Sequence, residues 1–444
     1  MASLASDLRI PAAVLPRAAI ESPRMNHPEQ LPAQKRESDV LRESPPQIAL
    51  DRASAWDVDD AAESTPEVAS VLGEYELAGG AGRCRRVGAG SGFSGASVWR
   101  VATAAGEFAL RRSPAGQPPP PRRAWLHRFL RFVQARGLDF IAAPVNTRYG
   151  ATFVERGGHS WELAPWLPGA ADFHRDPSRE RLAAAMTALA RFHGAAASFP
   201  GASLAGTGDA KVWMPNRAGA KTPPTIAPSP GLADRIQLLE RLMGGETDEM
   251  RQRVARSLAS IGQGNVNEAD KPGAAAVAMA PRAARLLELF DPVATAALER
   301  LRQHAATPVP LQPCLRDVWH NHVLFTGNKV SGLIDYDAIR IDSVAGDLAR
   351  LLGSLLEDDW PSWEFALAAY SQIRPLSERE TGLIDVFDLS SLAISGTQWV
   401  RWLYLDQLEF PAIQAVAERM DHWIRRSERF FARGAVTRGH AVRL

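Results

Sequence analysis

Apolar and polar positions change their spacing twice along this chain. Up to about residue 68 the apolar residues follow no period, and Pro11, Pro16, Pro23, Pro28, Pro32, Pro45 and Pro46 interrupt any helix or strand. Such a stretch buries too little apolar surface to offset its ordering entropy, so a tail is predicted, with room for one short element to dock on the folded body. From about Gly82 short alternating runs at 84–87, 98–101 and 107–110 predict strands, the last two joined by a turn at Ala104-Ala105-Gly106. A proline-rich loop at 117–121 follows. Residues 123–136 then place Trp125, Leu126, Phe129, Leu130 and Val133 on one face of a helix that Gly137 ends. Further strands are predicted at 151–155 and 160–163, before the turn Pro168-Gly169.

Beyond that turn the period is helical. Residues 180–193 line up Leu182, Met186, Leu189 and Phe192. Stretches 199–232 and 262–275 are rich in small and turn residues and read as loops. Helices are predicted at 233–243, 248–261, 281–304, 345–356, 360–371, 377–389, 392–408 and 413–431, with a hairpin-like region at 308–335. The predicted division is a tail over 1–68, a small sheet lobe with one helix over 69–165 and a mainly helical lobe over 166–444.

Composition narrows the function classes. The chain has 444 residues, enough for two lobes and a tail, and 45% are hydrophobic. Lys and Arg total 51 against 50 Asp and Glu, a formal net charge of +1. No global basic field draws it to nucleic acid or to an anionic membrane. Cys84 and Cys314 are the two cysteines, which excludes a zinc site built on cysteine pairs and argues against a disulfide framework. No apolar run reaches the roughly 18 residues of a membrane span, and Pro11 and Pro16 break any signal-peptide core. The expected setting is soluble, reducing and cytoplasmic.

Two stretches carry chemistry. In Gly88-Ala-Gly90-Ser-Gly92-Phe-Ser94-Gly95 the glycines satisfy G-x-G-x-x-G. A dinucleotide fold needs a helix directly afterwards. Here residues 97–103 read as a strand, then a turn, then another strand, which matches two strands folding over a triphosphate. Taken alone, the loop fits a phosphate cradle or a ligand-free hairpin equally well. Arg111 ends the third strand, where it can meet the α- and β-phosphates or lie on the surface beside Arg112. The helix at 123–136 offers no Glu or Asp to pair with it.

The second stretch runs Leu315-Arg-Asp-Val-Trp-His-Asn-His-Val-Leu-Phe325 and continues to Leu333-Ile-Asp-Tyr-Asp-Ala338. Asp317 lies on a loop and Asp335 at the end of an apolar strand, and a hairpin between them lets both converge on one site. Phosphoryl transfer needs such a pair: one carboxylate orients the attacking hydroxyl and takes its proton, and the other holds Mg²⁺ against the phosphates.

This segment resembles the aminoglycoside phosphotransferase family, whose pattern is H-G-D-x-H-x-x-N-[VIL]-L followed by a strand ending in I-D-[FW]. Ile341-Asp-Ser-Val-Ala-Gly-Asp-Leu-Ala-Arg350 likewise resembles the family's G-D-P-x-x-D-L-A. The resemblance covers about residues 82–430 and implies an α+β, bilobal, protein-kinase-like fold: a small antiparallel sheet lobe with one helix and a mainly helical lobe. It implies ATP bound under Gly90, Gly92, Ser94 and Gly95, with Arg111 on its phosphates. Asp317 is then the catalytic aspartate, Asp335 with His322 the metal set, and Asp347 a structural acid bracing the catalytic loop. The acceptor implied is a small hydroxylated molecule such as an antibiotic, sugar, choline-like amine or amino alcohol.

Several positions depart from the pattern. Leu315 and Trp319 replace its two histidines, and His322 replaces its metal-binding asparagine, with Asn321 one position early. Because Mg²⁺ prefers oxygen ligands, three arrangements stay open: His322 binds, Asn321 reaches in, or one metal ion suffices. His320 and His322 are too few for a transition-metal site. These departures also leave a second reading, a nucleotide-binding module with the same fold and little or no catalysis. A protein kinase fits less well, since no Ala-Pro-Glu segment follows Asp335. His193 reads as a core or capping histidine, Trp399, Trp402 and Tyr404 as core, and Glu357, Asp358 and Asp359 as a helix end rather than a lure for a cationic substrate.

Overall fold

The computed structural model describes residues 65–77, 80, 82–87, 96–200, 225–261, 273–408, 410 and 413–440. The first helix, α1 (Pro66–Leu72), begins inside the expected tail. Thr65 caps it by accepting the Val68 amide at 3.3 Å, and Pro66 supplies a preset backbone angle for the first turn. Val68, Val71, Leu72 and Tyr75 close over Trp99, Val101, Leu110, Trp161 and Leu163, which makes a small core of its own. That apolar face is why the helix docks on the sheet, so the sheet lobe carries two helices rather than one.

The sheet comprises β1 (Cys84–Val87), β2 (Ser97–Thr103) and β3 (Gly106–Arg112), then, after α2 (Pro120–Gln134), β4 (Val154–Arg156) and β5 (His159–Pro165). It is antiparallel with spatial order β1-β2-β3-β5-β4. In β2 the alternate residues Ser97, Trp99 and Val101 point inward, the period-two pattern of a half-buried strand. The α2 stripe is buried, as its spacing predicts, and Phe129 meets Phe192 and Phe199 edge-on at 5.8 and 5.2 Å.

The second lobe is mainly helical. In order come α3 (Arg179–Ala196), β6 (Thr225–Pro228), α4 (Pro230–Arg241), α5 (Thr247–Ser260), α6 (Ala274–His304), β7 (Pro308–Cys314), β8 (Val323–Thr326), β9 (Lys329–Leu333), β10 (Arg340–Asp342), α7 (Val344–Leu356), α8 (Trp360–Ser371), α9 (Glu378–Tyr404) and α10 (Ile413–His440). Strands β10, β7 and β6 form one antiparallel sheet and β8 with β9 a hairpin. Three boundaries differ from expectation. β6 falls inside the predicted loop because its partner β7 lies far away in sequence. α6 begins before Pro281, since Ala276, Met279 and Ala280 are buried there. α9 is continuous where two helices are predicted: Ser390 and Ser391 return their hydroxyls to the Phe387 carbonyl at 2.9 and 2.8 Å.

The segment leaving β5 is pinned to the β8–β9 hairpin. Ala170 and Phe325 exchange backbone hydrogen bonds at 3.0 and 2.8 Å, and Ser331 Oγ donates to the Pro168 carbonyl at 2.6 Å. Gly169, at φ +99°, makes this approach possible, because a Cβ there would overlap the Phe325 carbonyl and Ser331 Oγ. Among the described residues no helix is long and apolar enough to cross a membrane.

Candidate active site

The loop between β7 and β8 carries Asp317. Its geometry is set from below by Asp347, in the first turn of α7 and fully buried. The two Asp347 oxygens accept the backbone amides of Leu315 at 2.7 Å and Arg316 at 2.6 Å. His193, at the end of α3, adds Nε2 at 2.9 Å and holds Tyr370 Oη with Nδ1 at 2.7 Å. Burial pushes His193 below its usual pKa against the pull of Asp347, so the ring stays neutral, donating from Nε2 and accepting at Nδ1. His193 thus belongs to the loop brace. Cys314 lies within 4.8 Å of both groups, but the Asp347 oxygens already hold backbone amides. Neither His320 nor His322 belongs to a three-ligand cluster among the described residues.

Asp317 and Asp335 lie on either side of one imidazole. His322 meets the Asp317 carbonyl through Nδ1 at 2.7 Å, and its Nε2 is 3.7 Å from Asp335 Oδ2. The Trp319 indole N–H donates to the same Nε2 at 2.7 Å, which assigns the proton to Nδ1. Both ring nitrogens are therefore used inside the protein, and Nε2 would have to release the indole to bind a metal. Burial lowers the pKa of His322, in keeping with a neutral ring. Asp335 stands at φ +66° just past β9, and Arg316 at φ +63° beside Asp317. Left-handed backbone at non-glycine residues is strained and tends to mark functional loops. The Asp335 side chain is 43% exposed, and His322 is its one ion-pair neighbour among the described residues.

Arg350 of α7 forms an ion pair with the Asp317 carboxylate. Burial would raise the Asp317 pKa, but Arg350, His322 and Arg419 outweigh it and hold the acid below its usual range.

Arg111 is not bare. It pairs with both carboxylate oxygens of Asp337, at 3.2 Å for the longer contact, and lies 3.6 Å from Glu162 Oε1. The β3–β5 register places Glu162 directly opposite Arg111. Glu162 Oε2 also takes Arg123 at 2.6 Å and His127 at 2.8 Å, both from α2. The acid that α2 lacks therefore comes from β5, and α2 supplies cations instead. Burial would raise the Glu162 pKa, but the His127 hydrogen bond and the Arg111 and Arg123 charges bring it to about 2. Glu162 and Asp337 escape a motif search, although two facing antiparallel strands already put Glu162 near Arg111. Gly90, Gly92, Ser94 and Gly95 lie outside the described residues.

Comparison with known proteins places the chain in a family. The family model of the phosphotransferase enzyme family matches residues 86–380, and the chain belongs to that family. It is accordingly a small-molecule phosphotransferase whose acceptor is an alcohol group. Solved structures are similar at low identity. An aminoglycoside phosphotransferase from Alicyclobacillus acidocaldarius is 20% identical with a TM-score of 0.47, covering 84% of this chain and 96% of that one. A spectinomycin phosphotransferase, solved with ADP and spectinomycin, is 10% identical with a TM-score of 0.49, covering 78% and 93%. A microcompartment-associated aminopropanol kinase is 14% identical with a TM-score of 0.44, covering 81% and 95%. No curated protein sequence matches.

Proposed function

We propose that this chain uses ATP and Mg²⁺ to phosphorylate a hydroxyl group of a small molecule. The observation that carries the reading is the pair Asp317 and Asp335 flanking His322, on a loop tied to buried Asp347. In this reading the acceptor oxygen attacks the γ-phosphorus, the bond from that phosphorus to the β,γ-bridging oxygen breaks, and ADP leaves. The proton of the hydroxyl goes to Asp317. Arg111 turns from Asp337 toward the phosphates while Glu162 keeps its orientation. The glycine loop from Gly90 to Gly95, with Ser94, covers the phosphates.

The donors suit a hard divalent ion. Asp335 offers an exposed carboxylate, and phosphate oxygens and water complete an oxygen set of the kind Mg²⁺ prefers. When bound, the ion would neutralise charge developing on the phosphates. His322 serves as a spacer between the two acids, and joins the metal set only if Trp319 lets go. The cytoplasm, where ATP is abundant, is the setting implied. The test is ADP release with a pool of hydroxylated metabolites: Asp317→Asn is expected to cut acceptor-dependent turnover about 10²–10⁴-fold. Undiminished turnover would remove Asp317 from this role, and acceptor-independent ATP binding with no turnover would favour the binding-module reading.

A further inference from the structure

Two arginines bear on the Asp317 carboxylate, with Asp335 on the far side of the neutral His322 ring. Besides the paired Arg350, the groups acting most strongly on its carboxylate are His322 and Arg419. Arg419, on α10, stacks its guanidinium 3.5 Å from the Trp319 ring centroid in the same loop. A further cation stands behind them. Arg235 of α4 is held by the hydroxyls of Ser390 and Ser391 at 2.9 and 3.2 Å and has no carboxylate partner among the described residues. Burial, with Arg350 and Arg316 next in weight, lowers its pKa to about 10, which places these arginines in one neighbourhood.

Four acids of the helical lobe that could attract a cationic acceptor already have partners. Glu357 is ion-paired with His422, Arg425 and Arg429 at 3.1, 3.1 and 2.7 Å. Asp358 takes Arg426 and Arg429 at 3.1 and 3.2 Å, and Asp359 caps α8 by accepting the Ser362 amide. Asp406 pairs with Arg401 at 3.3 Å.

The Arg350–Asp317 pair also sets a chemical condition. A carboxylate held by a guanidinium is a weaker proton acceptor, and one of its oxygens is occupied. Drawing Arg350 away makes Asp317 a stronger acceptor for a hydroxyl proton. A neutral or cationic alcohol offers no competing charge, whereas a second carboxylate does, in the bidentate geometry that suits arginine. The Arg350 Nε is buried without a partner, so Asp317 does not satisfy the whole guanidinium in this arrangement.

We propose that the acceptor is a hydroxylated carboxylic acid whose carboxylate takes Arg350, assisted by Arg419, and thereby frees Asp317. The inference rests on the phosphotransferase reading above and names the substrate class of that same site. An acceptor of the wrong charge leaves the ion pair closed, so Arg350 selects the substrate and releases the base in one movement.

Three probes share a polyol chain and differ at one end: gluconate is anionic, sorbitol neutral and glucamine cationic. Their affinities are measured by calorimetry with a non-hydrolysable ATP analogue and Mg²⁺, and their phosphorylation with ATP. Gluconate is expected to bind about tenfold or more tighter than the other two, the scale of one charge-assisted pair. Arg350→Met is expected to erase that preference, Arg350→Lys to keep part of it, and Arg419→Gln to weaken it, with melting curves verifying that each variant folds. Equal affinity for the three, no binding of any, or a preference for glucamine overturns the proposal. So does a gluconate preference that survives both Arg350→Met and Arg419→Gln. The ATP analogue with Mg²⁺ alone separates the two readings: if it binds while gluconate is not preferred, only the anionic acceptor falls. If it does not bind while gluconate is still preferred, the phosphotransferase reading falls instead.

Discussion

Glu162 is where residue-scale chemistry organises this site. One carboxylate orders Arg111, Arg123 and His127, drawn from β3 and α2, and is mostly shielded from water. Removing one member of such a cluster leaves the others uncompensated, so Glu162→Gln is expected to cost about 3 kcal/mol in chemical denaturation at neutral pH. The pH dependence has a fixed sign. A carboxylate lowered from 4.5 to about 2 contributes stability that is present above 4.5 and is lost as the pH falls toward 2. The variant should lack this part of the acid limb, and identical denaturation profiles would show that Glu162 is no charge hub. At this scale the motif named side chains that the structure brings together, Asp317 and Asp335 beside His322, and the bracing Asp347. It was silent on Glu162, Asp337 and Arg350, because each acts through a partner brought close by strand register or helix packing, such as Asp337, 226 positions from Arg111.

At the scale of elements, periodicity served well wherever one face is buried against one neighbour. The α2 stripe from Trp125 to Val133 and the inward residues of β2 follow it directly. It failed where tertiary contacts override local signals. β6 exists because β7 pairs with it, and α9 passes Ser390 and Ser391 because their hydroxyls find a carbonyl one turn back. Gly169 shows the same dependence. Its turn was legible from Pro168-Gly169, but its close approach to the β8–β9 hairpin was not. Gly169→Ala combines a left-handed backbone with an overlap against the Phe325 carbonyl, and should cost at least about 2 kcal/mol. A thermal melt within a degree of wild type would mean that the joint relaxes at no cost.

Over the whole molecule, the two lobes meet through apolar packing of α2 on α3, a backbone hydrogen bond from Leu333 to Phe140, and charged contacts. Arg111 of the sheet lobe reaches Asp337 just beyond Asp335, so the end of β3 and the segment after β9 are mechanically joined. The helical lobe supplies the rest: α3 and α7 brace the Asp317 loop, Arg350 pairs with Asp317, and Arg419 stacks on Trp319. The departures from the family pattern at Leu315 and His322 find physical replacements. His193 buttresses Asp347, whose oxygens hold the backbone of Leu315 itself, and His322 sits between the two acids as a neutral spacer.

The central claim is that Asp335 holds a divalent ion against ATP, and it is tested most directly by thermal stabilisation. Melting temperatures of the wild type and of Asp335→Ala are compared with ATP, with Mg²⁺ and with both. The account predicts a rise of several degrees for the wild type that needs both ligands together, as binding to the folded state alone requires, and its loss in the variant. Stabilisation by ATP that ignores Mg²⁺ and persists in Asp335→Ala would contradict it.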